Sequence, residues 1–391
     1  MKKRVLILSF SRMHSDPRVL RQISFFERHG FEIVLSGLEY TGEKSFYPLT
    51  KAKSPFFRAL KLGIMVARLA RIRVKEFLRH SSLKDLSLLQ PTFNLILAND
   101  AETWPLAVAL RKSHPQAKVI FDAHEQYAKE FSEMLLWKWF HKRFVNFVCK
   151  KYIPMADKFI TVCDGIAQDY ARDYGVEAHL ILNTPDYEPN LEPSIEKDRI
   201  QIVHHGIANR SRKIEKMIRL MDHLDDRFEL KLMLIPSDPV YFLELKELAK
   251  GRRIEFLTPV PTQEISSFIN RFDIGLFILE PVNFNYANAL PNKFFEFIQA
   301  RLAIAIGPSP EMSKIVLEEQ NGIVAHSFDE KELGEALNAT SLEEIREMKK
   351  ISHQIAGKYS NHQNEKVMES LLQDLGLLNA EPSLESITES N

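Results

Sequence analysis

The sequence predicts an α/β protein made of two doubly wound domains that face each other across a cleft. Three observations carry this. Short apolar runs alternate along the chain with longer stretches of helical period. Nearly all of these runs are rich in Val, Ile and Leu and do not alternate with polar residues, as expected of strands buried on both faces of a parallel sheet. A polar stretch with prolines divides the pattern into two similar halves.

In the first half the runs lie at 5–9, 32–36, 95–98, 119–122 and 159–162. In the second they lie at 202–205, 230–235, 254–257, 274–278 and 303–307. Helical segments between them supply the crossovers of a doubly wound unit. The break at 183–198, NTPDYEPNLEPSIEKD, holds three prolines and no apolar periodicity, so it reads as an interdomain linker. Domains are expected at 1–185 and 186–360. Residues 341–378 read as two helices, and the acidic end 379–391 as a disordered tail. Sheets of this kind bind ligands at the carboxyl ends of their strands, so a cleft lined by two such ends is the first functional hint.

Composition excludes several classes. The chain has 391 residues, 45% hydrophobic and 27% charged, which is neither a disordered nor a fibrous composition. With 52 basic against 52 acidic side chains, a nucleic-acid partner held by bulk charge is disfavoured. Cys149 and Cys163 are too few for a disulfide framework and have no zinc-site spacing, which fits a reducing, cytoplasmic setting. The opening MKKRVLILSF has too short an apolar run for a signal peptide. No stretch is long and apolar enough to span a membrane.

The neutral total conceals asymmetry. Residues 51–84 hold ten Lys or Arg against one acid, Glu76. A second basic stretch, 135–152, interleaves Trp137, Trp139, Phe140, Phe144 and Phe147 with Lys138, Lys142, Arg143, Lys150 and Lys151. Basic amphipathic helices with aromatic residues suit an anionic membrane surface, so 55–80 and 135–152 are the segments expected to place the protein peripherally on the inner face of a membrane. The plainer alternative is a solvated basic face over packed apolar residues.

Motifs narrow the chemistry. Neither G-x-G-x-x-G nor G-x-x-x-x-G-K-[ST] occurs, which disfavours a nicotinamide dehydrogenase and a P-loop kinase. His124-Glu125 lacks the second histidine of a zinc protease, and no metal site is visible. What remains is polar residues just past strand ends. Asp122-Ala123-His124-Glu125 follows one strand, and the histidine reads either as a cleft group or as a satisfied structural one. Asn99-Asp100 follows another, as a site or as a helix cap. In the second half His204-His205-Gly206 end a strand, and Arg210, Arg212 and Lys213 precede a helix. Such a cationic turn holds a diphosphate or is simply solvated. The segment from Leu290 to Glu296 starts a helix with Pro291 near its first turn and puts Lys293 and Glu296 on one face, as a ligand clamp or a surface ion pair.

Taken in order, these segments carry a resemblance. They are SRMHSDPRVLRQISFFERHGFEIV, LILANDAETWPLAVALR, VIFDAHEQY, ADKFITVCDGIAQDY, LILNTP, HHGIANRSRKIEKMI and LPNKFFEFIQARLAIAIGPSPEMSKIV. The chain resembles the retaining nucleotide-sugar glycosyltransferases of the two-Rossmann GT-B architecture, specifically their large family-four group, glycosyl transferases group 1. The resemblance implies that Glu296 binds the ribose hydroxyls of the donor, and that Arg212, with Arg210 or Lys213, neutralises its diphosphate, assisted by Lys293. Gly206 and Asn288 would lie on the donor side. His124 would sit over the donor sugar near the reacting carbon, so His124, Arg212 and Lys213 are the catalytic candidates. Ser11, Arg12, Asp16 and Arg18 would face the acceptor, with Asp100. The last helix, 361–378, would return to the first domain. The co-substrate would be a nucleoside diphosphate sugar, with no metal ion and no further cofactor, and the acceptor a saccharide or a lipid-linked saccharide.

Two departures from the family pattern stand out. The usual pair of glutamates separated by seven residues has Asn288 in its first place, and the glycine pair after the first strand is replaced by SFSRMHSDPR. The expected reaction is a same-face substitution; a two-step route would need a carboxylate nucleophile, for which Asp100 and Glu125 are the candidates. Two other readings share the architecture: a nucleotide-sugar 2-epimerase, and a non-catalytic homologue that binds a nucleotide sugar or a partner transferase.

Overall fold

The runs without alternation become strands because both of their faces are covered. The computed structural model describes residues 2–49, 70–129, 135–194 and 199–379. They divide into two units, each built on one all-parallel sheet. The first comprises the described residues up to Val162, Ile166–Ile181 and those from Glu365 onward; the second comprises Cys163–Gly165 and Leu182–Asn364.

The first sheet has seven strands in the order β3-β2-β1-β4-β5-β6-β7. These are β1 (Arg4–Leu8), β2 (Glu32–Gly37), β3 (Ser45–Pro48), β4 (Leu95–Asn99), β5 (Lys118–Ala123), β6 (Lys158–Thr161) and β7 (His179–Leu180). Every residue of β1 and β4 is buried. The order reverses between them, so the ends of β1 and β4 flank the switch point where such sheets take ligands. The edge strands β3 and β7 are short and only partly buried, so no apolar run marks them in the sequence.

One face of this sheet is closed by the helix Pro17–Arg28, whose Val19, Ile23 and Phe26 join Val5, Ile7 and Leu35 in the core. Met368, Leu371 and Leu372 of the last helix, Asn361–Asp374, complete that cluster. On the other face Trp104 is fully buried, stacked on Phe121 at 4.8 Å and edge-on to Phe159 at 5.8 Å.

The second sheet has six strands in the order β10-β9-β8-β11-β12-β13. They are β8 (Ile200–Ala208), β9 (Phe228–Pro236), β10 (Ile254–Leu257), β11 (Ile274–Phe277), β12 (Ala303–Ile306) and β13 (Gly322–Val324). Here the switch point lies between β8 and β11. The helix Asn292–Gln299 follows the loop after β11 and is buried over most of its length.

The described part of the proline-bearing stretch is fastened to the second unit. The buried Arg301 guanidinium donates to the Leu191 carbonyl at 3.1 Å and the Glu188 carbonyl at 2.6 Å. Residues 195–198 lie outside the described residues, as do 50–69 of the basic segment, 130–134, and 380–391 of the expected tail. Among the described residues no helix is long and apolar enough to cross a membrane.

Asp16 takes a structural position. Its Oδ1 accepts from the backbone N–H groups of Arg18 at 3.1 Å and Val19 at 3.3 Å, capping the helix that Pro17 begins. Because a cap satisfies first-turn N–H groups that the helix itself leaves unmatched, Asp16→Ala is expected to cost about 1 kcal/mol. Urea unfolding followed by tryptophan fluorescence reads this in the first unit, which holds all three tryptophans. An unchanged midpoint would show the cap to be without weight.

Candidate functional site

In the second unit the polar groups gather where β8 ends. Gly206 there has φ +122°, and a Cβ at this position would lie 2.8 Å from the Lys293 Nζ. Glycine therefore lets the ammonium approach the strand end. Lys293 is 5% exposed, donates from Nζ to the His205 carbonyl at 2.7 Å, and stands 4.6 Å above the Phe277 ring. It forms no ion pair among the described residues, so Lys293 and Glu296 are not a surface ion pair. Burial strips its water and Arg212 repels it, which drives its pKa well below the ordinary lysine range although Glu296 opposes the shift.

The cations of the β8 turn have different fates. Arg210 is taken up by Glu244, at 2.7 and 2.9 Å, and by Asp238 at 3.1 Å. Lys213, in the left-handed region at φ 46°, pairs with Glu280, which Lys216 also holds at 2.7 Å. The Arg212 side chain has no hydrogen bond and no carboxylate partner among the described residues. The expectation that Arg210 or Lys213 shares the anion site therefore meets two side chains whose charge is already matched, while Arg212 and Lys293 have no carboxylate within ion-pair distance among the described residues.

Two histidines line the same strand end. His204 Nδ1 lies 2.9 Å from the Leu276 carbonyl and its ring stacks on Phe277. Burial, together with Lys293, keeps it neutral, so Nδ1 donates and the buried Nε2 lone pair has no hydrogen-bond partner among the described residues. His205 Nε2 is 3.3 Å from Glu296 Oε2, and both side chains are buried. Burial and Lys293 also keep His205 neutral, so this is a contact of a neutral ring with a carboxylate rather than an ion pair. Asn288 ends the short helix Phe284–Ala287 and donates from Nδ2 to the Phe284 carbonyl at 2.8 Å.

In the first unit the strand ends hold a buried polar network. Arg18 donates to both Asp122 oxygens, from Nε and Nη2 at 2.7 Å each, and from Nη1 to the Ile181 carbonyl at 3.0 Å. At 6% exposure Arg18 turns inward, away from the acceptor-facing role expected of it. Burial alone would raise the Asp122 pKa, but the Arg18 guanidinium and His124 outweigh it and hold the carboxyl well below its usual range. His124, 23% exposed, lies with Nε2 3.2 Å from Asn99 Oδ1 and Nδ1 3.8 Å from Asp100 Oδ1. Asp100, at φ 65°, accepts on Oδ2 from the Phe10 N–H at 2.8 Å and from Ser9 Oγ at 3.2 Å. Ser11 reaches Asp100 through Ser9, their hydroxyls 2.9 Å apart. Arg12 stays on the surface, 3.5 Å from Glu39. Gln22 and Glu280 also belong to these networks, yet a glutamine inside a helix and a glutamate in a loop gave no signal in the sequence. Among the described residues no three His, Cys, Asp or Glu side chains gather as a metal site.

No protein-family model matches the chain, and no curated protein matches it in sequence. Solved structures match over nearly its whole length. A glycosyltransferase from Rickettsia africae superposes with a TM-score of 0.68 at 12% identity, covering 97% of this chain and 100% of that one. The sucrose-phosphate synthase of Thermosynechococcus elongatus gives 0.66 at 12% identity, covering 96% and 99%. The E. coli trehalose-6-phosphate protein bound with UDP-2-fluoro glucose gives 0.63 at 10% identity, covering 96% and 99%. The fold is GT-B.

Within this GT-B chain the Arg18–Asp122 pair has a defined pH signature. A depressed carboxyl pKa contributes stability that is present above the ordinary Asp value of about 3.9 and is lost as the pH falls below it. Asp122→Asn leaves Arg18 buried without its counter-charge and is expected to cost about 3–5 kcal/mol. Urea unfolding by tryptophan fluorescence should show that loss at neutral pH and a flatter dependence below about pH 4. An acid dependence identical to that of the unmodified chain would assign the pH effect to other carboxylates.

Proposed function

We propose that this chain is a retaining glycosyltransferase. It moves a hexose or N-acetylhexosamine from a nucleoside diphosphate sugar to a saccharide or lipid-linked acceptor, in the synthesis of a surface polysaccharide or glycolipid. The observation that carries this reading is that Lys293 and Arg212, at the end of β8, have no carboxylate within ion-pair distance among the described residues, with Lys293 buried. Burial disfavours the charged form of Lys293, and an arriving diphosphate supplies the negative charge that favours it. The strand-end position is where doubly wound sheets take nucleotides. That a structural neighbour is bound with UDP-2-fluoro glucose supports the same donor class.

In this reading Glu296 accepts hydrogen bonds from the ribose hydroxyls, and Lys293 and Arg212 stabilise the charge that grows on the leaving diphosphate. The bond from the anomeric carbon to the phosphate oxygen breaks while the acceptor oxygen bonds on the same face. The departing phosphate oxygen takes the acceptor proton. His124 serves the reacting sugar. The two cations do the work that a metal ion would do at the diphosphate.

The test is a screen of common nucleoside diphosphate sugars, reading free nucleotide and the anomer of any product. Release from one donor is expected, with the configuration retained and the rate unchanged by EDTA. Arg212→Ala and Glu296→Ala should each reduce turnover about a hundredfold. Interconversion of two sugars without an acceptor would replace this reading with an epimerase. Saturable nucleotide binding without turnover, even with lipid extract added, would leave a binding protein.

The described part of the basic segments supports an anionic membrane as the place of work. Arg71, Lys75 and Arg79 are exposed and spaced four apart along the helix Ala70–His80, so they share one face, with Ile72 exposed beside them at 43%. Arg73 of that helix stacks 3.9 Å over Phe144 of the helix Leu135–Tyr152, which exposes Arg143, Lys150 and Lys151. Each surface cation near anionic lipid contributes about 1 kcal/mol, so replacing Arg71, Lys75 and Arg79 by Gln should lower sedimentation with anionic vesicles about a hundredfold. Equal sedimentation of both proteins would place the stripe in plain solvent.

A further inference from the structure

The geometry points to Gln22 and Asn99 as positioning residues that hold the His124 ring with a proton on Nε2 and leave Nδ1 as the nitrogen that meets a ligand. Donor and acceptor counting carries it. Asn99 Nδ2 donates to the Leu8 carbonyl at 3.0 Å and to Gln22 Oε1 at 3.0 Å. A backbone carbonyl only accepts, so the amide nitrogen must face it. Gln22 Nε2 donates to Asp122 Oδ2 at 2.9 Å and to Asn99 Oδ1 at 3.0 Å. The Asp122 carboxylate, already paired with Arg18, likewise only accepts.

The two amides therefore lock each other, because flipping either one sets oxygen against oxygen. Asn99 Oδ1 is left facing His124 Nε2 at 3.2 Å, and that contact needs the hydrogen on Nε2. Asp122 Oδ2, 3.7 Å from Nε2, favours the same form and Asp100 Oδ1, 3.8 Å from Nδ1, the other, so the shorter Asn99 contact decides. Nδ1 makes no hydrogen bond among the described residues. It is the nitrogen that takes up or releases the second proton.

The charged and titratable groups around the ring are Asp122, Asp100, Arg18 and Tyr127. Burial works against the charged ring, but Asp122 and Asp100 outweigh it with Arg18 opposing, so His124 keeps its second proton to higher pH than an ordinary histidine. In that state Nδ1–H is a donor for a sugar or phosphate oxygen. The consequence for turnover rests on the transferase reading; the placement of the proton does not.

The test uses the full chain labelled with 15N-histidine and reads the ring nitrogens by two-bond proton–nitrogen correlation. The His124 signals are those lost in His124→Gln, among 13 histidines. At high pH the neutral ring should show the Nε2–H form. Asn99→Leu should abolish that preference and Gln22→Met should populate both forms, in variants whose tryptophan fluorescence shows the first unit folded. With a donor, Asn99→Leu should lower kcat about tenfold or more and leave KM within about twofold. An Nδ1–H form in the unmodified chain overturns the proposal even if both variants fail to fold, and so does an unchanged Nε2–H form in folded Asn99→Leu. Loss of that form in Asn99→Leu, in a chain that turns over no donor, supports the positioning and counts against the transferase reading alone.

Discussion

A strand covered on both faces has no room for a polar side chain without a partner, and the placement of chemistry in this molecule follows from that constraint. β1, β4 and β12 are buried throughout. Polar groups therefore collect at the carboxyl ends of strands or must be matched inside. Both happen here. Asp122, in β5, survives burial because the Arg18 guanidinium meets both of its oxygens. Lys293 is buried beside the end of β8, where its Nζ donates to a carbonyl and stands over an aromatic face.

The contrast between these two buried charges separates structure from function. Arg18 and Asp122 are closed on each other and tie the helix Pro17–Arg28 to β5, so removing one partner weakens the unit. Among the described residues Lys293 and Arg212 form no ion pair, while their neighbours Arg210 and Lys213 do. Four cations lie close in sequence or space, and the proposed anion site rests on the two that form no ion pair among the described residues. Neutral His204 and His205 fit the same logic, since burial beside Lys293 disfavours any further positive charge there.

Much of the architecture was legible in the sequence. The apolar runs without alternation corresponded to the central strands, and the polar residues at their carboxyl ends, Asp122, His205 and Gly206 in the last residues of β5 and β8 and Asp100 and His124 just past β4 and β5, are those that the strands carry into the polar networks. The edge strands β3, β7 and β13 were not legible, because a short strand with an exposed face needs no apolar run. Asp16 and Arg18 were legible as polar residues after the first strand, but not as a helix cap and a buried ion pair. The ion pair needs a carboxylate that β5 brings from far along the chain, whereas the cap is local, its donors lying only two and three residues on.

By itself the sequence determined which residues stand at strand ends, because burial writes hydrophobicity into every position of a parallel strand and breaks off where the strand does. It also determined that Lys293 and Glu296 share one helical face, since helical spacing is local. Only the tertiary structure decided which charges are matched. Ion pairing joins residues as far apart as Arg18 and Asp122 or Lys213 and Glu280, and no local pattern reports a partner that folding brings from another strand.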